Sequence, residues 1–179
     1  MAREHRAGHR PLHPGRLLNS YPIAAIKDGP WPGRLALGPA PLGSDDPSAI
    51  AAWGADKVLG LTKPEESAGL GVPDLAGHLA SAGLAWRNAP IEDFAAPDDR
   101  FNEAWPALRD CLIGRLNGGE KVLVHCRAGR GRSGTIVAAL LIAGGLAPDD
   151  AIGAVRSARP GAIETTDQEA WLRQISLRG

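Results

Sequence analysis

Cysteine is scarce in this 179-residue chain, which holds only Cys111 and Cys126. Two thiols cannot build the disulfide framework of a small secreted protein, so a reducing compartment, the cytoplasm, is the expectation. An excess of one charge is also lacking: 20 Lys and Arg face 20 Asp and Glu, for a formal net charge of zero. Nothing global therefore points to nucleic acid or to a membrane surface as a partner. No apolar run reaches the roughly 18 residues a membrane-crossing helix needs, so no stable membrane insertion is expected. The charged N-terminus is not followed by the hydrophobic stretch of a secretory signal. Internal repeats and low-complexity segments are missing too. The length suits one domain able to bury a real core.

Residues 1–16 carry Arg3, Arg6, Arg10 and Arg16, with His5, His9 and His13 at four-residue spacing. On a helix those histidines would share a face and suit a metal. Gly8, Pro11, Pro14 and Gly15 break such a helix, so the segment reads as a flexible basic arm ahead of a single domain over 17–179. From there short strands and helices alternate. Strands are expected at Arg34–Leu37, Lys57–Leu61, Leu84–Ala89 and Lys121–Val124. Helices are expected at Ser44–Trp53, Pro73–Gly83, Arg100–Asn117, Gly134–Leu141, Pro148–Ala158 and Asp167–Leu177. Pro73 is placed in a first helical turn, and Thr166 with Glu169 as a capping box. This alternation predicts an α/β fold, a mostly parallel sheet with helices on both sides and a ligand site beyond the carboxyl ends of the strands.

That site falls on His125-Cys126-Arg127-Ala128-Gly129-Arg130-Gly131-Arg132-Ser133. An apolar strand precedes the segment and a buried helix follows it. Strand, glycine loop and helix form an anion cradle, because loop N–H groups and the helix N-terminus converge on one point. The loop lacks the Gly-Lys-Ser/Thr ending of a nucleotide loop and has a thiol at its base instead. Facing N–H dipoles, a helix dipole and Arg132, the thiol is expected to ionise well below its free value of roughly 8.5. The product is a nucleophilic thiolate opposite a bound phosphate. The N–H groups of Arg127, Ala128, Gly129, Arg130, Gly131 and Arg132 make the cradle, and the Arg132 guanidinium can grip two phosphoryl oxygens. Ser133 can donate to the sulfur. The residues alone leave His125 open as a general base.

The motif H-C-x-x-G-x-x-R-S resembles the signature of the cysteine-dependent protein tyrosine and dual-specificity phosphatases. The resemblance implies that His125 orders the loop rather than taking a proton. Upstream, Ala89-Pro90-Ile91-Glu92-Asp93-Phe94-Ala95-Ala96-Pro97-Asp98 is similar to the acid loop of small dual-specificity phosphatases of the cyclin-dependent kinase-associated kind. Carried over, Asp93 is the general acid and then the base for water; otherwise it is a capping or solvated carboxylate. Glu92 points away from it in an extended segment, and Asp98 and Asp99 start the next helix. Downstream, Arg159 to Gln168 is similar to the second-step loop, with Gln168 positioning the hydrolytic water or, otherwise, facing solvent in a first helical turn. No cofactor and no metal is expected.

Arg127 and Arg130 add charge that looks like the loops of inositol-lipid phosphatases, unless both point away and pair with Glu92 or Asp98. The pattern outside the loop resembles the protein-phosphatase branch, so the substrate is read as a phosphoprotein, with a phosphoinositide or inositol phosphate as the alternative. Sulfurtransferases and arsenate reductases place their cysteine in loops of other lengths or at the chain start. A non-catalytic phosphate-recognition module is the other competing reading, and the presence of nucleophile, arginine and acid together argues against it. Cys111, beside Leu112, is read as a packing residue, with a redox partnership to Cys126 as the rival.

Overall fold

The computed structural model describes residues 21–177; the arm read at residues 1–16 lies outside them. One sheet contains β1 (Ala24–Ala25), β2 (Arg34–Gly38), β3 (Lys57–Gly60), β4 (Ala85–Asn88) and β5 (Lys121–His125). Their spatial order is β1-β2-β5-β3-β4. The β1–β2 pair is antiparallel and the other pairs are parallel, which is the mostly parallel sheet expected.

A central parallel strand must be apolar on both faces. In β5, Val122 and Val124 enter one apolar cluster and Leu123 enters the other. On the Leu123 side lie α1 (Asp45–Trp53) and α3 (Leu75–Ser81), bringing Ile50, Leu75 and Leu79. On the other side α4 (Asp99–Asn117), α5 (Gly131–Ala143), α6 (Pro148–Ala158) and α7 (Thr166–Ser176) enclose the larger cluster. Every residue of α5 from Gly131 to Leu141 is buried, which explains its nearly uniform apolar sequence. Phe101, Trp105 and Trp171 meet with ring centroids 5.8–6.4 Å apart and lock α4 to α7.

Several sequence expectations need correction. α3 starts at Leu75 with Asp74 as its N-cap, accepting from the Gly77 N–H, so Pro73 precedes the helix. α7 is capped one residue earlier than read: Thr165 accepts from the Gln168 N–H. β1 and a short helix α2 (Pro64–Gly69) were not foreseen. Cys111 is exposed rather than packed, because neighbours on a helix lie about 100° apart and Leu108, Leu112 and Leu116 already face the core. Both thiols are free, Cys111 exposed on α4 and Cys126 buried after β5, so the structure shows no bridge between them.

At the carboxyl end of the sheet, Gly38, His125 and Gly60 stand side by side in register. Both glycines are required by what lies over them. A Cβ on Gly38 would fall 2.8 Å from Tyr21 Cζ, and one on Gly60 would fall 2.9 Å from His125 Nε2 and from Trp86 Nε1. The chain leaves β5 at this edge.

Candidate active site

Cys126 follows the last residue of β5 and is 2% exposed. The loop after it turns its carbonyls outward. The Arg127 carbonyl accepts from Ala40 N, those of Ala128 and Gly129 accept from the Arg159 guanidinium at 3.2 Å, and that of Arg130 accepts from Gly134 N. Among the described residues, no acceptor is paired with the backbone N–H groups from Arg127 to Arg132, leaving those donors to face the enclosed space. Gly129 makes the turn at φ 68°. A Cβ there would run into the Gly38–Pro39 backbone, so the loop is pressed against the end of β2 by a residue that only glycine can supply.

α5 begins at Gly131, three residues earlier than the sequence suggested, so Arg132 and Ser133 lie in its first turn. Ser133 Oγ is 3.3 Å from Cys126 Sγ, within hydrogen-bond reach of the sulfur. The hydroxyl of Thr135 donates to the Gly131 carbonyl at 2.8 Å and pins that turn.

Arg132 is 2% exposed, and its donors can be accounted for one by one. Nη1 donates to Glu66 Oε2 at 2.8 Å and to the Ile91 carbonyl at 3.0 Å, with the Leu61 carbonyl also within reach at 3.4 Å. Nη2 donates to Glu66 Oε1 at 2.9 Å and lies 2.9 Å from Asp93 Oδ1. Nε is buried without an acceptor. The end of the guanidinium is thus held by Glu66, and Nε is the donor left free for an oxyanion; a bidentate grip through Nε and Nη2 requires Asp93 to release Nη2. Burial alone would push the Glu66 carboxyl up, but the Arg132 fork and the Lys63 N–H hold it below the usual carboxylate range.

Asp93 occupies a turn in which the Ala95 N–H bonds the Glu92 carbonyl, and Phe94 takes a left-handed conformation at φ 57°. Glu92 points away, as read, and pairs with Lys63. Asp98 caps α4, accepting from Phe101 N at 2.8 Å. Gln168 is fully buried: its Oε1 accepts from Glu164 N at 2.9 Å and Thr165 N at 3.3 Å, and its Nε2 donates to the Ala95 carbonyl at 3.2 Å. One amide hydrogen is left over. The solvent-facing glutamine considered from sequence is therefore excluded, and Gln168 ties the Asp93 turn to α7. His125 is wholly buried, and burial pushes its imidazole down to about 4. It is neutral near pH 7, and both ring nitrogens are buried without a hydrogen-bond partner among the described residues.

A cavity of about 400 Å³ gathers Cys126, Arg127, Ala128, Arg132, Asp93, Phe94, Leu70 and Glu164. The thiol and guanidinium of one loop meet the carboxylate read from a separate stretch of sequence in one place. Arg127 and Arg130 are exposed; neither pairs with Glu92 or Asp98, nor with any other acid among the described residues. Sequence reasoning missed Glu66, which is 66 positions from Arg132 on an unforeseen helix and gives no local signal. It also missed Glu164, whose carboxylate overhangs Gly131: a Cβ on that glycine would fall 2.5 Å from Glu164 Oε2.

A thiol in an anion cradle at the end of a central parallel strand, with a buried arginine and an acid turn, defines the class of cysteine-dependent phosphatase domains. Residues 31–172 match the family model PTP-SAK, described as Swiss Army Knife protein, DSP-PTPase phosphatase domain; the chain belongs to that family. It is 32% identical over 107 residues to cyclin-dependent kinase inhibitor 3 of Rattus norvegicus, covering 58% of this chain and 49% of that protein. The chain spans about half the length, or less, of the curated relatives it matches. Among solved structures, Tk-PTP in its active form is 29% identical with a TM-score of 0.73, covering 91% of this chain and 100% of that one. Kinase-associated phosphatase with a serine at its catalytic-site cysteine superposes with a TM-score of 0.80 at 22% identity, covering 90% and 97%. This last likeness is one of fold.

Proposed function

We propose that the domain over residues 17–179 is a phosphate monoester hydrolase working through a cysteinyl-phosphate intermediate, and that its substrate is a phosphoprotein bearing phosphotyrosine. Family membership supports the chemistry. The observation that carries the assignment of residues is the convergence of Cys126, Arg132 and Asp93 on one cavity. In this reading Cys126 attacks phosphorus in line. The N–H groups of Arg127, Ala128, Gly129, Arg130, Gly131 and Arg132, with the Nε edge of Arg132, take up the charge of the phosphoryl oxygens. Asp93 protonates the leaving oxygen, then removes a proton from the water that breaks the sulfur–phosphorus bond. Ser133 stabilises the sulfur as it departs, and the spare Gln168 hydrogen orients that water. His125 holds the strand end on which the loop is built. A thiolate nucleophile suits the reducing cytoplasm.

Phe94 supports an aromatic ester. It is 62% exposed, held at positive φ and beside Asp93 on the cavity wall, where with Leu70 it offers an apolar surface to a ring. The exposure of Arg127 and Arg130 without acidic partners favours a second reading, a phosphoinositide or inositol phosphate carrying several phosphates. Initial rates of phosphate release from a phosphotyrosine peptide and a soluble phosphoinositide, with Cys126→Ser as the blank, decide between them. A higher kcat/KM on the peptide supports the first reading. Preference for the phosphoinositide, lost in Arg127→Ala and Arg130→Ala, replaces it with the second.

A further inference from the structure

A second concavity lies behind the acid turn, outside the thiol cavity. It holds about 430 Å³ between the end of β4 and the first half of α4. Its apolar floor is Phe101, Ala104 and Leu108, and Arg87 and Arg100 stand on its rim. Both arginines are exposed, and neither is paired with an acid among the described residues. The acids that border the groove are already engaged: Glu92 with Lys63, and Asp98 in capping α4. The lining still carries three positive side chains, Lys63, Arg87 and Arg100, against two negative ones, Glu92 and Asp98, so the net charge offered to a ligand is positive. β4 is the last strand of the sheet, and the Ala89 N–H turns inward to the Gly60 carbonyl. By the alternation of a parallel ladder, the N–H and C=O of Asn88 face outward along the groove.

Free strand-edge groups, an apolar floor and two unpaired guanidinium groups match the demands of one kind of occupant. We propose that this groove is a recognition site for an extended acidic segment of the phosphoprotein substrate, lying beside β4 with apolar side chains over Phe101 and Leu108 and carboxylates on Arg87 and Arg100. The chemistry of binding is that of strand addition with charged anchors. Because Glu92 borders the groove and Asp93 the thiol cavity, a substrate filling both straddles the acid turn. The proposal rests on the phosphatase reading for the identity of the substrate, but not for the act of binding.

Binding is tested with Cys126→Ser protein and a fluorescein-labelled, unphosphorylated Glu-Leu-Glu-Glu-Leu-Glu peptide, followed by anisotropy. The peptide is expected to bind, and the double variant Arg87→Glu/Arg100→Glu to weaken it by about tenfold or more, with a similar loss at about 0.5 M salt. No binding, or equal binding by the double variant, overturns the proposal. So does capture of anionic lipid vesicles through the same arginines without peptide binding. In active protein, a phosphotyrosine peptide with a Glu-rich flank should be preferred over its Gln-substituted twin by about fivefold in kcat/KM. That preference should vanish in the double variant while p-nitrophenyl phosphate turnover stays level; an equal loss on both substrates contradicts the assignment. Failure of the wild-type protein to hydrolyse p-nitrophenyl phosphate would refute the phosphatase reading, and the anisotropy result would still decide the groove.

Discussion

Replacing Glu66 by glutamine removes the clamp on Arg132 while changing few atoms. The carboxylate receives Nη1 at 2.8 Å, Nη2 at 2.9 Å and the Lys63 N–H at 2.9 Å. Glutamine keeps one oxygen and turns an NH₂ group toward a guanidinium donor, so one charge-assisted bond becomes a repulsive contact. Breaking a buried ion pair by removing one partner costs about 3–5 kcal/mol. Here the Ile91 carbonyl and Asp93 still serve the guanidinium, and the Glu66 side chain is 18% exposed, so about 2 kcal/mol is the reasoned loss. The Nε edge loses its fixed aim, and kcat/KM should fall by roughly 10²-fold. The pH dependence has a definite sign. A carboxyl held low in the folded state stabilises above its unfolded value of about 4.3, and the benefit is lost as pH falls through the folded value. Urea unfolding of both proteins should therefore differ at neutral pH and converge in acid. An unchanged urea midpoint at pH 7 together with unchanged kcat/KM would show that Glu66 does not clamp Arg132.

Asp93→Asn should lower kcat by about 10²–10⁴-fold on alkyl or aryl phosphates with poor leaving groups, and much less on p-nitrophenyl phosphate; equal losses on both would move the acid elsewhere. His125 is pushed down to about 4 by burial, so the unfolded chain binds its proton first. Stability should fall as pH drops from about 6.5 to 4, by about 3 kcal/mol if this group acts alone, and urea midpoints flat across that window would contradict the burial argument. Gly129→Ala meets both a positive φ and the Gly38–Pro39 backbone. It should cost about 2 kcal/mol or more and weaken inhibition by inorganic phosphate, and wild-type phosphate affinity in this variant would show that the loop does not depend on that approach.

What was legible in the sequence follows from how local each cause is. The strand, loop and buried helix around Cys126 read clearly because an unbroken apolar run, glycines and a second apolar run are consecutive in the chain. The sheet type followed from the alternation of elements. α2 was invisible: Pro64–Gly69 has two acids and no apolar stripe, and it matters through Glu66, whose meaning lies in a partner 66 residues away. Two adjacent threonines made the α7 cap ambiguous. Only the folded contact between Gln168 and the Ala95 carbonyl shows that this residue braces the acid turn. Adjacency to Leu112 in sequence says nothing of Cys111 packing, because neighbouring residues of a helix face about 100° apart and Leu112 holds the core face. The positive charge on the groove behind the acid turn is a tertiary property as well, since it depends on which charged side chains the fold brings to one wall.

The proposed mechanism requires Cys126 as the nucleophile. Rapid-quench reaction with p-nitrophenyl phosphate, followed by mass spectrometry of the peptide containing residue 126, tests this directly alongside initial rates for Cys126→Ser. A phosphate on Cys126 during turnover and no measurable turnover by the folded serine protein are expected. Sustained hydrolysis by Cys126→Ser, or a phosphate carried on another residue, would contradict that mechanism.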